Sequence, residues 1–327
     1  MRIAIAGAGA IGGWMGVRLA RSGQQVSVVA RGNTLAALRS GPWWLETAGE
    51  TVEASVAAAE DAAELGEQDV VVIAVKGPAL ARLAPRLRPL IGEDTVVVPA
   101  MNGIPWWFLL AGGGELPAMP LSSIDPDGII AEALPFDRVI GSVVHGSVTA
   151  PAPGRVVHKA GNGLILGEPV GQRSERLDRV ADAFAAAGFD VTRSGSIRQD
   201  IWYKLWGNMT MNPISAFTGA TCDRILDDPL VNRFVLAVMA EAREVGSRIG
   251  CPIGERGEDR NQVTRKLGAF KTSMLQDAEA GRALEIDQIA AAPAEIASAL
   301  GIAVPNIETL LGLVRLFGQA RGLYTQA

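Results

Sequence analysis

The chain has 327 residues, 48% of them hydrophobic, and a formal net charge of −5; at this length it can bury roughly 75% of its extended surface without help from disulfides or metal. An acidic balance without clustered Lys/Arg runs excludes a nucleic-acid partner, which would need a basic patch, and no apolar run reaches the ~18 residues of a membrane span. Cys222 and Cys251 form no CxxC and His145 and His158 are too few for a His-rich zinc site, so the expected compartment is a reducing cytoplasm and no metal is expected.

Residues 2–6 form a short apolar strand, followed at once by Gly7-Ala8-Gly9-Ala10-Ile11-Gly12 and an apolar helix through residue 19. The opening has some likeness to a secretory signal, but its glycines interrupt the apolar run in the pattern of a folded motif. GxGxxG between a strand and a helix is the dinucleotide fingerprint: Gly7 permits the turn, Gly9 lets backbone approach a pyrophosphate, and Gly12 lets the helix pack closely on the strand. The phosphates would then sit at the positive end of the helix. Residues 25–29 read as the second strand. An NAD site would place Asp or Glu at its end for the ribose hydroxyls, whereas this chain has Ala30-Arg31 and no acidic residue before Glu46. An arginine there pairs with a 2′-phosphate and a carboxylate would repel it, so NADP(H) is the expected cofactor.

Residues 69–75 are a continuous apolar run, as expected of a parallel strand buried on both faces, and lead to Lys76. Residues 95–98 give another such strand, followed by Met101-Asn102-Gly103. Ligands of open α/β sheets bind beyond the carboxyl ends of the strands, which puts Lys76 and Asn102 at the expected cleft. The aromatic cluster Trp106-Trp107-Phe108 follows; it reads as core, with a substrate wall as the alternative. Residues 111–137 are rich in Gly, Pro and acid and read as a long irregular loop. Strand-like segments resume at 139–148, 155–158 and 164–166, then a helix over 173–187 and a last strand at 189–192. His145 and His158, both in strand-like surroundings, read as structural.

After residue 196 the pattern is helical throughout, with helices expected at 197–212, 230–249, 260–280, 286–300 and 307–320. The change from strand–helix alternation to helix alone places a boundary there: an α/β Rossmann-type dinucleotide-binding domain over 1–195, then an all-α substrate domain over 196–327. Ser196 and Gln199 have the spacing of a capping box. Lys204, Asn208 and Asn212 recur every four residues and so form one stripe, where an ammonium and two amides flanked by apolar Ile201 and Leu205 suggest a partly dry cleft. Pro213 is expected to end or kink that helix. Ser273 reads as a mid-helix hydroxyl, and Glu285 opens an otherwise apolar helix. The helical domain is compatible with a homodimer.

Taken in order, the GAGAIG of residues 7–12, Lys76 after its strand, Asn102-Gly103, Lys204-Leu205 with Asn208 and Asn212-Pro213, Thr272-Ser273-Met274-Leu275-Gln276-Asp277, Glu285-Ile286-Asp287, and Gly301-Ile302 with Pro305 resemble one family, the ketopantoate reductases or 2-dehydropantoate 2-reductases. The resemblance spans nearly the whole chain. It implies NADPH-dependent reduction of the 2-keto group of ketopantoate in pantothenate synthesis. By resemblance Lys204 is the general acid, Glu285 assists it, Ser273 and the asparagines bind substrate, and Lys76 and Asn102 lie near the nicotinamide. The chemistry agrees, because hydride arriving at a ketone carbon leaves an alkoxide and a proton-bearing cation is needed beside that oxygen. Trp43-Trp44, Trp106-Trp107 and residues 111–137 stand outside the family pattern. They leave open a reductase of another 2-keto acid or of a derived imine. A redox-sensing dinucleotide-binding protein is the remaining alternative; it would need the glycine motif but no proton donor.

Overall fold

A computed structural model of the chain describes residues 1–325. They divide into two compact units, one of residues 1–101 and 129–197, the other of residues 102–128 and 198 onward.

The first unit carries β1 (Arg2–Ala6), α1 (Ala10–Arg21), β2 (Gln25–Val29), α2 (Gly32–Ser40), β3 (Trp43–Glu46), β4 (Thr51–Ala54), β5 (Ala57–Ala59), β6 (Val70–Ile73), α3 (Gly77–Leu87), β7 (Val96–Pro99), α4 (Ile129–Ala133), β8 (Gly141–Ala152), β9 (Arg155–Gly167), α5 (Glu175–Ala186) and β10 (Asp190–Arg193). Five strands form a sheet in the order β5-β2-β1-β6-β7, every neighbouring pair parallel. That is the order and direction of the first five strands of a six-stranded Rossmann sheet, with the β1–α1 turn at the switch point. A second sheet runs β10-β9-β3-β4, with β8 antiparallel to β9.

Helix α1 packs on both sheets, and its glycines make this possible. A side chain on Gly12 would collide with the Gly7 carbonyl and meet Ile5 and Ala74 of the parallel sheet, while one on Gly13 or Gly16 would strike Val156 or the Trp43 ring of the second. Trp43 is fully buried there. On the same helix Trp14 stacks on His158 at 5.0 Å between centroids, and the His158 ring bonds the Gly161 carbonyl through Nε2 at 2.6 Å. The tryptophan outside the family pattern at position 43 is therefore core, as is His158.

The second unit contains α6 (Ile197–Thr218), α7 (Cys222–Asp227), α8 (Pro229–Arg248), α9 (Gly257–Arg265), α10 (Ser273–Glu279), a π-helical turn (Asp287–Ala291), α11 (Ala292–Ala299) and α12 (Pro305–Ala320). Trp202 and Trp206 of α6 are buried and donate their indole N–H to the Ala242 and Met239 carbonyls of α8, at 3.1 and 2.8 Å. Gly246 leaves the space that Trp202 fills.

Four local expectations differ from what is found. Residues 102–128 group with the helical unit rather than with the α/β unit, because Trp106, Trp107 and Phe108 are buried, with Phe108 stacked on Trp202 at 6.2 Å, and Glu295 of α11 accepts from the Ser122 and Ser123 N–H groups at 2.7 and 2.9 Å. The reciprocal capping box at Ser196 does not form, since the Ser196 N–H donates to Ser194 Oγ and the Gln199 amide donates to the Pro252 carbonyl. Of the two outcomes expected at Pro213, an end is excluded, because α6 continues through it to Thr218; a proline inside a helix removes one N–H from the ladder. The single helix expected over 260–280 is two, α9 and α10, and Ser273 is the exposed first residue of α10 behind the Thr272 cap rather than a mid-helix hydroxyl.

Candidate active site

The dinucleotide fingerprint of the first unit lies where β1 gives way to α1. Gly7 has φ +108, and any side chain there would press on the Ala74 carbonyl and Val75. Gly9 is exposed, with open space where its side chain would be. The first intrahelical bond runs from Gly13 N–H to the Gly9 carbonyl at 2.8 Å, which leaves the N–H groups of Ala10, Ile11 and Gly12 ahead of it. No side chain caps this terminus and its first turn holds no acid. A bare, positively polarised helix end beside an unobstructed glycine fits a pyrophosphate.

Arg31 ends the segment after β2, exposed at the N-cap of α2. Its guanidinium makes no hydrogen bond or ion pair among the described residues. Lys76 is half-buried at the N-cap of α3.

The second unit brings three of the expected residues together. Lys204 Nζ donates to Asn102 Oδ1 at 2.9 Å. Burial lowers the Lys204 ammonium to about 8, and the Glu285 carboxylate works against that fall. A partly dehydrated amine loses the hydration that favours its charge, and a nearby anion restores part of it. Asn102 is held by its neighbours: Gly103 has φ +75, the adjacent Ile104 N–H donates to the Gln288 carbonyl at 2.8 Å, and a side chain on Gly103 would lie 2.5 Å from that oxygen. Gln288 belongs to the π-helical turn that follows Glu285. The same turn carries Asp287, whose carboxylate accepts from the Tyr324 hydroxyl at 2.6 Å; burial raises the Asp287 carboxyl.

The rest of the stripe lies further along α6. Asn208 is half-buried. Asn212 is buried, and its Nδ2 has no hydrogen-bond acceptor among the described residues. Ser273 makes no hydrogen bond to the Lys204 cluster among the described residues. Gln288 had no distinguishing sequence signal: an amide inside an apolar helix reads as an ordinary surface residue until its burial is known.

A parallel sheet with a bare glycine turn, followed by a helical unit that holds a lowered lysine, defines the class: a dinucleotide-dependent oxidoreductase. The family models "Ketopantoate reductase PanE/ApbA" and "Ketopantoate reductase PanE/ApbA C terminal" match residues 3–171 and 196–318. The chain belongs to the ketopantoate reductase family. It is 41% identical to a 2-dehydropantoate 2-reductase of Mesorhizobium japonicum, over 99% of this chain and 100% of the relative. A crystal structure from Ralstonia solanacearum MolK2, assigned as a ketopantoate reductase, superposes with a TM-score of 0.94 at 54% identity and covers 99% of each chain. D-mandelate dehydrogenase, solved with NADH and anilino(oxo)acetate, shares the fold at TM-score 0.83 and 20% identity, covering 98% of this chain and all of that one. No helix among the described residues is long and apolar enough to cross a membrane.

Proposed function

We propose that this protein reduces ketopantoate to pantoate with NADPH, with Lys204 as the proton donor. The observation that carries the reading is the Lys204–Asn102 hydrogen bond beside the Glu285 charge. With its ammonium near 8, Lys204 is mostly protonated at neutral pH yet a far stronger acid than an ordinary lysine, which suits a general acid. Asn102 fixes the ammonium's direction through an oxygen that can only accept. Glu285 keeps enough positive charge on Lys204 for it to stabilise oxygen anion character before the proton moves. Asn208, Asn212 and Ser273 are the groups proposed to bind the keto acid; the unpaired Asn212 Nδ2 is a donor suited to its carboxylate or keto oxygen. Bound NADPH supplies a hydride to the keto carbon. Gly7 through Gly12, with Ala8, Ala10 and Ile11, would hold its pyrophosphate, Arg31 its 2′-phosphate, and Lys76 and Asn102 its nicotinamide end.

The likeness to the Mesorhizobium 2-dehydropantoate 2-reductase along the whole chain supports ketopantoate as the substrate. The test is the loss of NADPH absorbance with ketopantoate and a panel of other 2-keto acids. Ketopantoate should give the highest kcat/KM, and a better substrate elsewhere in the panel would replace this reading.

A further inference from the structure

Glu285 sits on a short segment that is held from two sides. On one side the Gln288 carbonyl accepts from Ile104, two residues after the Asn102 amide that holds Lys204. On the other side lies the chain just after α12. There Gly322 takes φ +65 and the helix closes in a Schellman turn, with the Gly322 and Leu323 N–H groups donating to the Gln319 and Gly318 carbonyls at 3.1 and 2.7 Å. The turn sends Leu323 and Tyr324 onto the Glu285 segment. The Leu284 N–H donates to the Leu323 carbonyl at 3.0 Å, and the Tyr324 hydroxyl donates to Asp287 Oδ1 at 2.6 Å. These two bonds bracket Glu285, one at the residue before it and one at the second residue after. Gly318 gives them room: a side chain there would stand 2.7 Å from the Tyr324 Cβ and 3.0 Å from Ile286 Cδ1. Leu284, Ile286, Leu323 and Tyr324 are all buried.

The hydroxyl–carboxylate bond is charge-assisted, and removing either partner strands the other. The charged group that also acts on Asp287 is Arg315 of α12. Burial and the Asp287 carboxylate raise the Tyr324 hydroxyl, so it keeps its proton and donates through the neutral and mildly alkaline range. We propose that Tyr324 is a positioning residue for the reaction: its bond to Asp287 fixes the segment that carries Glu285 and so holds that carboxylate where it supports the protonated Lys204. The inference rests on the reading of Lys204 as the proton donor and deepens it. Without the hydroxyl, the Asp287 carboxylate loses its donor and draws water or Arg315 to itself. Glu285 then shifts with the segment, and its hold on the ammonium weakens.

The experiment follows kcat/KM for ketopantoate against pH, with urea unfolding alongside, in the unmodified protein, Tyr324→Phe, Glu285→Gln and the double variant. Tyr324→Phe should move the alkaline limb to lower pH by at least about 0.3 unit, read as a loss of about twofold or more at about pH 9. In the Glu285→Gln background the same change should move it no further, because Glu285 is the group through which Tyr324 acts. A purely structural tyrosine would lower the urea midpoint and leave the limb in place, and that result would overturn the inference. So would an equal shift with and without Glu285, which would assign the effect to the charge of Asp287 itself. Asp287→Asn and Asp287→Leu repeat the test with charge matched, since both remove the carboxylate and only asparagine leaves an oxygen for the hydroxyl. The limb should lie lower in the leucine variant, and coincident limbs would overturn the inference even if Tyr324→Phe does not fold. Absence of turnover with every 2-keto acid, or of any alkaline limb in the unmodified protein, would remove the proposed function or its proton donor and this inference with it. A limb near pH 8 that Tyr324→Phe leaves in place would remove the inference alone.

Discussion

Raising the pH addresses Lys204 most directly, because its ammonium is lowered to about 8 from an ordinary 10.5. A general acid works only while protonated. At pH 7 about nine-tenths of Lys204 carries its proton, and at pH 10 about one-hundredth does, so kcat/KM for ketopantoate should fall about tenfold per pH unit above 8. An unburied lysine would hold activity about two and a half units further. Glu285 is the group that opposes the fall, so Glu285→Gln should move the alkaline limb below 8. Lys204→Gln keeps a donor of similar length but cannot readily release a proton, and should lower kcat by about 10²- to 10⁴-fold. The same burial affects stability. The folded value lies below the unfolded one, so the unfolded chain binds more protons between them and the cost of this ammonium, about 3 kcal/mol at neutral pH, fades as pH rises from about 8 toward 10.5. Lys204→Gln should therefore leave the urea midpoint unchanged or raise it. The assay is NADPH oxidation across about pH 6 to 10, with urea unfolding alongside. A profile flat to about pH 10, or a Gln variant within about threefold of the original kcat, would refute the assignment.

Arg31→Ala should erase most of a tenfold to hundredfold preference for NADPH over NADH, the yield of one charged hydrogen bond worth about 1.5–3 kcal/mol; equal kcat/KM for the two cofactors in the unmodified protein would contradict this. Gly103→Ala forces a side chain into a left-handed backbone and onto the Gln288 carbonyl, so it should cost at least about 1–3 kcal/mol in urea unfolding and lower kcat by displacing Asn102; unchanged kcat would show that the turn does not position that amide. Ser273→Ala should raise KM for the keto acid and leave the NADPH dissociation constant unchanged, and a fluorescence titration that shows weakened NADPH binding would contradict its placement with the substrate.

The features legible in the chain were those whose physics is local. The GAGAIG turn announces itself because strand, glycine spacing and helix start are contiguous, and the strain at Gly7 and the close approach at Gly12 are set within a few residues and the strand beside them. The short apolar runs at 69–75 and 95–98 read as buried parallel strands and are found as β6 and β7, and Lys204, Asn208 and Asn212, four residues apart, fall in one stripe by helix period alone. What the tertiary structure decided were matters between distant residues. Ser196 and Gln199 match a capping box, yet Pro252, 53 residues from Gln199, takes the Gln199 amide. Residues 102–128 look like an appendage of the strands before them, but their aromatic rings and serine N–H groups find partners near positions 200 and 295. Gln288 carries no local mark at all. Whether an amide is a solvated surface group or a buried acceptor depends on which atoms surround it, and for Gln288 those include a turn 185 residues earlier, at Gly103. Hydrogen-bond satisfaction and burial are properties of the packed chain, and so the stripe of Lys204, Asn208 and Asn212 was readable from the sequence while the lowered ammonium of Lys204 and the unpaired Gln288 Oε1 were not.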